Sequence, residues 1–373
     1  MLFVAEFYAI IFFILLSHKN VEIIRRMAMN VKKYLIPLVS VVFVSSIFYG
    51  CSSKDEVPKE KTETVLGTVC TVKLYDHIDD KIFDKVFDRF EDIERKMTIN
   101  KEDSEIIKVN QAAGKEYVKV SEDTFEVIEK GLYYSRLYDK FDITIGPLVK
   151  LWNISFDNAS KAQIPKDSEI KEKLKLVNHD NILLDETNKA VMLKEKGMML
   201  DLGGIAKGYA ADEAIKILKA NGVQHAIVNL GGNVMTLGSK PDGSNWIIAV
   251  QHPFSKRGTS IGTVKVTDKT VVTSGIYERY IKSGDKIYHH IIDTSTGYPV
   301  DNNLLSVTII TDKSVNGDGL SKIFALGVDK GKEFLKAFKG TEAIFITKDN
   351  KIYITPGLKG VFTLTDSSFE LVE

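Results

Sequence analysis

The chain has 373 residues, of which 44% are hydrophobic and 27% charged, a globular composition with material for one large domain or two modest lobes. Its basic and acidic residues cancel to a formal net charge of zero and are scattered, so no electrostatic footprint for nucleic acid exists and that partner class is excluded. With Cys51 and Cys70 as the two cysteines, no disulfide framework, zinc site or iron–sulfur site is available.

The N-terminus carries two apolar runs. The first, residues 2–16, is interrupted by Glu6 and is shorter than the ~20 residues of a membrane-spanning helix. The second follows Val31-Lys32-Lys33, runs from Tyr34 to Tyr49 and ends in Gly50-Cys51-Ser52-Ser53, the layout of a lipoprotein signal peptide. Phe48 stands where such signals usually carry Leu. The expectation is that translation starts at Met29, that residues 1–28 are an upstream extension, that 29–50 is the signal peptide, and that Cys51 carries the lipid. An uncleaved anchor would give the same topology: a membrane-anchored protein of the cell envelope facing away from the cytoplasm. Ser52 to Lys61 is rich in Lys, Glu and Asp and reads as a flexible tether, with the folded domain at 62–373.

Thr64 to Tyr75 is β-rich, and Ile82, Val86, Phe90, Ile93 and Met97 then recur at three- and four-residue spacing, which predicts a long amphipathic helix. Ser104 and Ser121 are placed to cap a second and a third helix. From Asn181 onward strands dominate: 181–185, 226–230, 246–251, 263–266, 288–292 and 305–311, with helices over 205–220 and 318–326. The fold class is α+β, a sheet-rich lobe and a helical lobe that leave a cleft between them.

Four stretches carry chemistry. DLGGIAKGYAAD, from Asp201 to Asp212, puts paired glycines and Lys207 at the start of a helix, where backbone amides and the helix end suit a pyrophosphate; alone, such glycines more often mark just a tight turn, and this is not the G-x-G-x-x-G dinucleotide fingerprint. FDITIGPLVKLW, from Phe141 to Trp152, is a buried turn or a binding wall. YHHIIDTSTGYP, from Tyr288 to Pro299, sets His289 and His290 on opposite faces of a strand, so one of them can face a cleft and act as a general base; Asp293 points away from His290, and no His–Asp dyad follows. GDGLSKIFALG, from Gly317 to Gly327, opens a helix at Asp318, whose carboxylate can cap that helix or hold a hard cation. IVNLGGNV and VVTSGIYERY add Gly-containing turns at strand ends.

Together and in this order, these stretches resemble the ApbE family of FAD:protein FMN transferases, from about Thr64 to the C-terminus. The resemblance implies an ApbE-like fold with FAD in the cleft, and Mg²⁺-dependent transfer of the FMN part to a Thr or Ser hydroxyl with release of AMP. Carried over by position, it implies that Leu66, Asn100, Phe141, Asp142, Asp201, Lys207 and Ile291 line the FAD site. It also implies that the Gly204 carbonyl and Asp318 ligate the metal, and that His290 is the base. As partners it implies flavoprotein subunits of envelope redox complexes of the Nqr and Rnf kinds.

Three departures stand out. Leu66 replaces the usual Met and keeps the apolar contact, and Thr294 replaces the usual Pro, a change of turn stiffness. Lys322 occupies the position of a metal-binding Thr, and a protonated Lys offers donors alone. Water or Ser321 then completes the metal shell, or Lys322 meets the phosphates directly; the expectation is magnesium-dependent activity with weaker metal binding than a Lys322→Thr variant would show. An FAD pyrophosphatase releasing FMN and AMP, and a non-catalytic FAD-binding lipoprotein, remain the competing readings of the same residues.

Overall fold

A computed structural model describes residues 58–154, 163–256, 258–284 and 286–372. The expected signal peptide, Cys51 and most of the expected tether lie outside the described residues. Among the described residues no helix is long and apolar enough to cross a membrane.

Nine strands form the main sheet, and their order in the sheet is their order in the chain: Lys59–Val65, Thr68–Leu74, Ala226–Leu230, Asn233–Leu237, Thr270–Gly275, Leu304–Thr311, Glu342–Thr347, Lys351–Ile354 and Glu370–Val372. All neighbours are antiparallel except the last pair. The first strand begins at Lys59, three residues before the expected domain start. Lys59 and Lys61 pair with Leu74 and Val72 and reach Asp80 and Asp84, so the end of the expected tether is ordered as a charged edge strand. Such charges discourage edge-to-edge pairing with another chain.

The amphipathic helix is Lys81–Met97, and the five residues that predicted it are all buried. Ser104 Oγ accepts from the Ile107 amide at 3.0 Å and Ser121 Oγ from Thr124, capping helices Glu105–Gln111 and Glu122–Leu137 as expected. The helices pack on the sheet to form one large core, with Val86, Phe90, Ile93, Phe125, Val228, Ile309 and Phe345 sealed from water. Cys70 is buried there and donates its thiol to the Val65 carbonyl.

A second, smaller core gathers Leu148, Trp152, Ile154, Ile170 and Ile281. Trp152 is fully buried, donates Nε1–H to the Gly297 carbonyl at 2.8 Å, and stacks at 5.7 Å on Tyr288. These contacts tie helix Gly146–Trp152 to the hairpin of strands Tyr280–Ser283 and Lys286–His289 and fix where the residues after His289 emerge.

Two helices interlock beside the sheet. A Cβ on Gly208 would lie 2.3 Å from the Ser314 carbonyl oxygen, so helix Ala206–Ala220 meets helix Ser314–Leu320 backbone to backbone. Each helix then caps the other. Asp318 Oδ2 accepts the Gly208 amide at 2.6 Å, while Asp212 accepts the Ser314 and Val315 amides at 2.8 and 2.9 Å. Burial pushes the Asp212 carboxyl up to about 6 against the pull of those amides. Asp318 was expected to open its own helix; that helix starts four residues earlier, and Asp318 caps the neighbouring one instead.

The expected strand 288–292 also ends sooner. Pairing stops at His289, and Ile292 makes an isolated bridge to Pro299. His289 is 4% exposed, with Nε2 2.8 Å from the Val300 carbonyl and Nδ1 facing the Ile291 amide. A carbonyl can only accept, so Nε2 carries the proton and the ring is neutral. Burial lowers its pKa to about 4, below an unfolded value of ~6.5, so the folded state binds fewer protons than the unfolded chain between these values. Stability from this group is therefore full above pH 6.5 and is lost as pH falls toward 4, by up to ~3 kcal/mol. Thermal melts at pH 7 and pH 5 should show the loss, and His289→Gln, which keeps an N–H for Val300, should flatten it; an equal slope in the variant would remove this explanation.

Candidate active site

The segments singled out by sequence meet one another rather than remaining separate turns. The Asp201 amide donates to Ile143 O at 2.8 Å and the Gly146 amide to Met199 O at 3.2 Å, with Ile145 and Met199 forming a parallel bridge. Residues 198–200 are thus extended backbone that pairs with the 141–146 stretch on one side, while the Asn110 side chain binds the Leu200 amide and carbonyl. A Cβ on Gly146 would meet Met199 O at 2.6 Å, which is why a glycine stands there.

Beside this junction a cavity of about 450 Å³ opens, in the range of small-molecule sites. Leu66, Asn100, Phe141, Asp142, Asp201, Gly204, Lys207, His290, Ile291 and Asp318 all line it. One further candidate, Ser321, lies buried beneath its floor. The site also holds residues the sequence reading left without a role: Lys150, Thr273, Ser274 and Arg279. Arg279 sits in VVTSGIYERY, a stretch noticed for its turn glycine; the Arg four residues past that glycine was the available signal.

Leu66 reaches the cleft from a two-residue turn between the first two strands. Its φ is +57° and that of Gly67 is +66°, the left-handed region that a leucine adopts at a cost of about 1–2 kcal/mol. The strain holds a large apolar side chain at the cleft mouth. Leu66→Asn, which tolerates this backbone, should raise stability by roughly 0.5–1 kcal/mol and, if the cleft takes the FAD that the resemblance implies, weaken that binding about fivefold through the lost apolar contact. A melting curve and a flavin-fluorescence titration read both; unchanged FAD affinity would take Leu66 out of the site.

Asp142 lines the cleft, but its oxygens are committed inward. They accept from the Thr144 amide and hydroxyl at 2.8 and 2.6 Å, the His179 amide at 3.1 Å and His179 Nδ1 at 2.9 Å. The carboxylate thereby shapes the wall. Asp201 accepts the Gly203 amide at 2.7 Å; burial pushes its carboxyl up, and Gly203, Arg279, Lys150 and Lys207 pull the other way. Lys207 stands in the first turn of the 206–220 helix, where the positive helix end adds to its charge.

His290 faces the cleft where its neighbour His289 does not, as alternation along a strand requires. Its Nδ1 is 3.2 Å from the Arg279 carbonyl, so Nδ1 carries the proton and the Nε2 lone pair is left to accept one. Burial, then the nearby Arg279 charge, hold the ring's pKa well below its usual value. Asp293 forms an ion pair with Lys140 at 3.1 Å rather than a dyad with His290.

The expected metal ligands fail a fit test. Among the described residues no group of three His, Cys, Asp or Glu side chains converges on one point. Ser321 Oγ donates to the Asp318 carbonyl at 2.8 Å and accepts from Ser274 Oγ at 2.9 Å and from Lys322 Nζ at 3.0 Å, which uses its hydrogen and both lone pairs. Asp318 gives Oδ2 to Gly208 and Oδ1 to Asn233 Nδ2 at 3.3 Å. The Lys322 amine stands among these residues, donating to Ser321 Oγ at 3.0 Å and to the Asp318 carbonyl at 3.4 Å; burial lowers its pKa to about 8, with Asp318 opposing. The set of Gly204, Asp318 and Ser321, with the Lys322 amine among them, is therefore a poor fit to a hard divalent cation.

Comparison with known proteins follows the same outline. The ApbE family model matches residues 66–345. The chain is 38% identical over 314 residues to an FAD:protein FMN transferase of Klebsiella pneumoniae (strain 342), covering 83% of this chain and 95% of that protein. It is 32% identical over 346 residues to the protein of the same name from Treponema pallidum (strain Nichols), covering 86% and 94%. The crystal structure of an ApbE protein from Thermotoga maritima superposes with a TM-score of 0.75 at 30% identity, covering 82% of this chain and 99% of that one.

Proposed function

The chain belongs to the ApbE family and is an enzyme that moves FMN from FAD onto protein, and we propose that His290 is the general base of that transfer. The observation that carries this role is the contact of His290 Nδ1 with the Arg279 carbonyl, which leaves a neutral ring with its Nε2 lone pair available in the cleft.

In this reading FAD lies along Leu66, Phe141 and Ile291, with its pyrophosphate at the 206–220 helix N-terminus near Lys207 and Arg279. A Thr or Ser hydroxyl of the acceptor is a poor nucleophile until a base takes its proton. His290 takes that proton as the oxygen attacks the phosphorus on the flavin side. The bond between that phosphorus and the bridging oxygen breaks, its electron pair leaves with AMP, and FMN stays on the acceptor through a phosphoester. Lys207, Arg279 and the helix end stabilise the charge that builds on the phosphate oxygens. Magnesium is given no step here, because the residues that would hold it do not fit the ion.

The signal-like segment ending at Cys51 supports an acceptor on the outer side of the membrane, with the enzyme held there through a lipid on Cys51. Flavoprotein subunits of envelope redox complexes of the Nqr or Rnf kind are acceptors of that description. The test is product partition: with FAD and an acceptor domain, AMP should appear without matching free FMN. AMP and free FMN in equal amounts would replace transfer by hydrolysis.

A further inference from the structure

Lys322 is the one site residue whose chemistry runs against the resemblance, and its surroundings give it a purpose. Nζ lies 3.0 Å from Ser321 Oγ and 3.4 Å from the Asp318 carbonyl, and a Cβ on Gly204 would be 3.8 Å away. The ammonium thus stands among the three residues expected to surround a metal ion. An ammonium has three N–H groups; two point at Ser321 and Asp318, and the third remains for an acceptor in the cleft that Lys322 lines. Lys207 and Arg279 face the same part of the cleft, so the acceptor such a place recruits is an anionic oxygen. Ser321 and Ser274 hold the amine in place from below through their 2.9 Å contact.

We infer that the Lys322 ammonium is the built-in cation of the phosphate subsite, so that this chain binds the pyrophosphate of FAD without a bound divalent metal ion. The inference rests on the FMN-transfer reading above but is tested on binding, which does not depend on it. Asp318 keeps two tasks in this arrangement, capping the 206–220 helix and balancing the ammonium. A side chain fixed by the fold is present at every turnover, whereas a metal ion would have to be captured with the substrate.

The experiment titrates the purified protein with FAD, followed by flavin fluorescence, in EDTA and again in Mg²⁺. Wild type should show the same Kd in both, within about twofold. Lys322→Met should lose about tenfold or more in EDTA, the worth of a charge-assisted hydrogen bond. Lys322→Arg should stay metal-independent, and Lys322→Thr, which restores an oxygen donor, should recover affinity when Mg²⁺ is added. Wild-type binding that weakens about tenfold in EDTA and returns with Mg²⁺ would overturn the inference, as would a Lys322→Met protein that binds FAD like wild type. Metal-independent FAD binding with no modification of any acceptor would instead count against the transfer reading and leave this one standing.

Discussion

Replacing His290 by Ala is expected to slow FMN transfer by about 10³-fold while leaving FAD affinity within about twofold, the pattern of a base that acts in the transition state alone. The ring offers one lone pair to the cleft and is held in its tautomer by a main-chain carbonyl, so its loss removes a proton acceptor and no charge. The pH profile should carry the same signature. A base works unprotonated, and burial with the Arg279 and Lys322 charges holds His290 unprotonated well below the usual histidine range. Transfer should therefore not decline as pH falls from about 7.5 to 6, where an ordinary histidine would lose its function. A variant retaining transfer within about tenfold of wild type, or a decline centred near 6.5, would remove His290 from this role.

The largest structural effect is expected from a single methyl group. Gly208→Ala puts a Cβ 2.3 Å from the Ser314 carbonyl oxygen and 2.7 Å from Val315 Cα, both backbone atoms that no rotamer change can move. The two helices must part by about 1 Å, at a cost of about 3 kcal/mol, a fall of roughly 4–5 °C in melting temperature for a domain of this size. Parting them also draws the Gly208 amide away from Asp318 and the Ser314 amide away from Asp212, so both reciprocal caps weaken together. Transfer should drop as well, since Asp318 balances the ammonium in the cleft. An unchanged melting curve would show that the pairing yields freely and that the caps matter little.

What the sequence disclosed follows from the range of the interactions involved. The helix Lys81–Met97, the Ser104 and Ser121 caps and the strands 226–230 and 246–251 depend on residues a few positions apart, and each was readable from spacing. The opposite facing of His289 and His290 was readable for the same reason, because pairing reaches His289 and sets the alternation there. Asp318 was misplaced at a helix start because its partner, Gly208, lies 110 residues away and no local pattern announces a cap given to another helix. Arg279 was passed over because a strand-end arginine looks the same whether it faces solvent or a phosphate. Lys322 was recognised as out of place, yet only the three-dimensional arrangement shows its amine among Gly204, Asp318 and Ser321.

The most direct test of the transfer reaction is the intact mass of an acceptor domain bearing an exposed Thr, incubated with the protein and FAD. A gain equal to one FMN, with loss of water, on wild type and none with His290→Ala is the predicted result. An acceptor of unchanged mass alongside accumulating FMN and AMP would contradict it and make the protein a hydrolase of FAD.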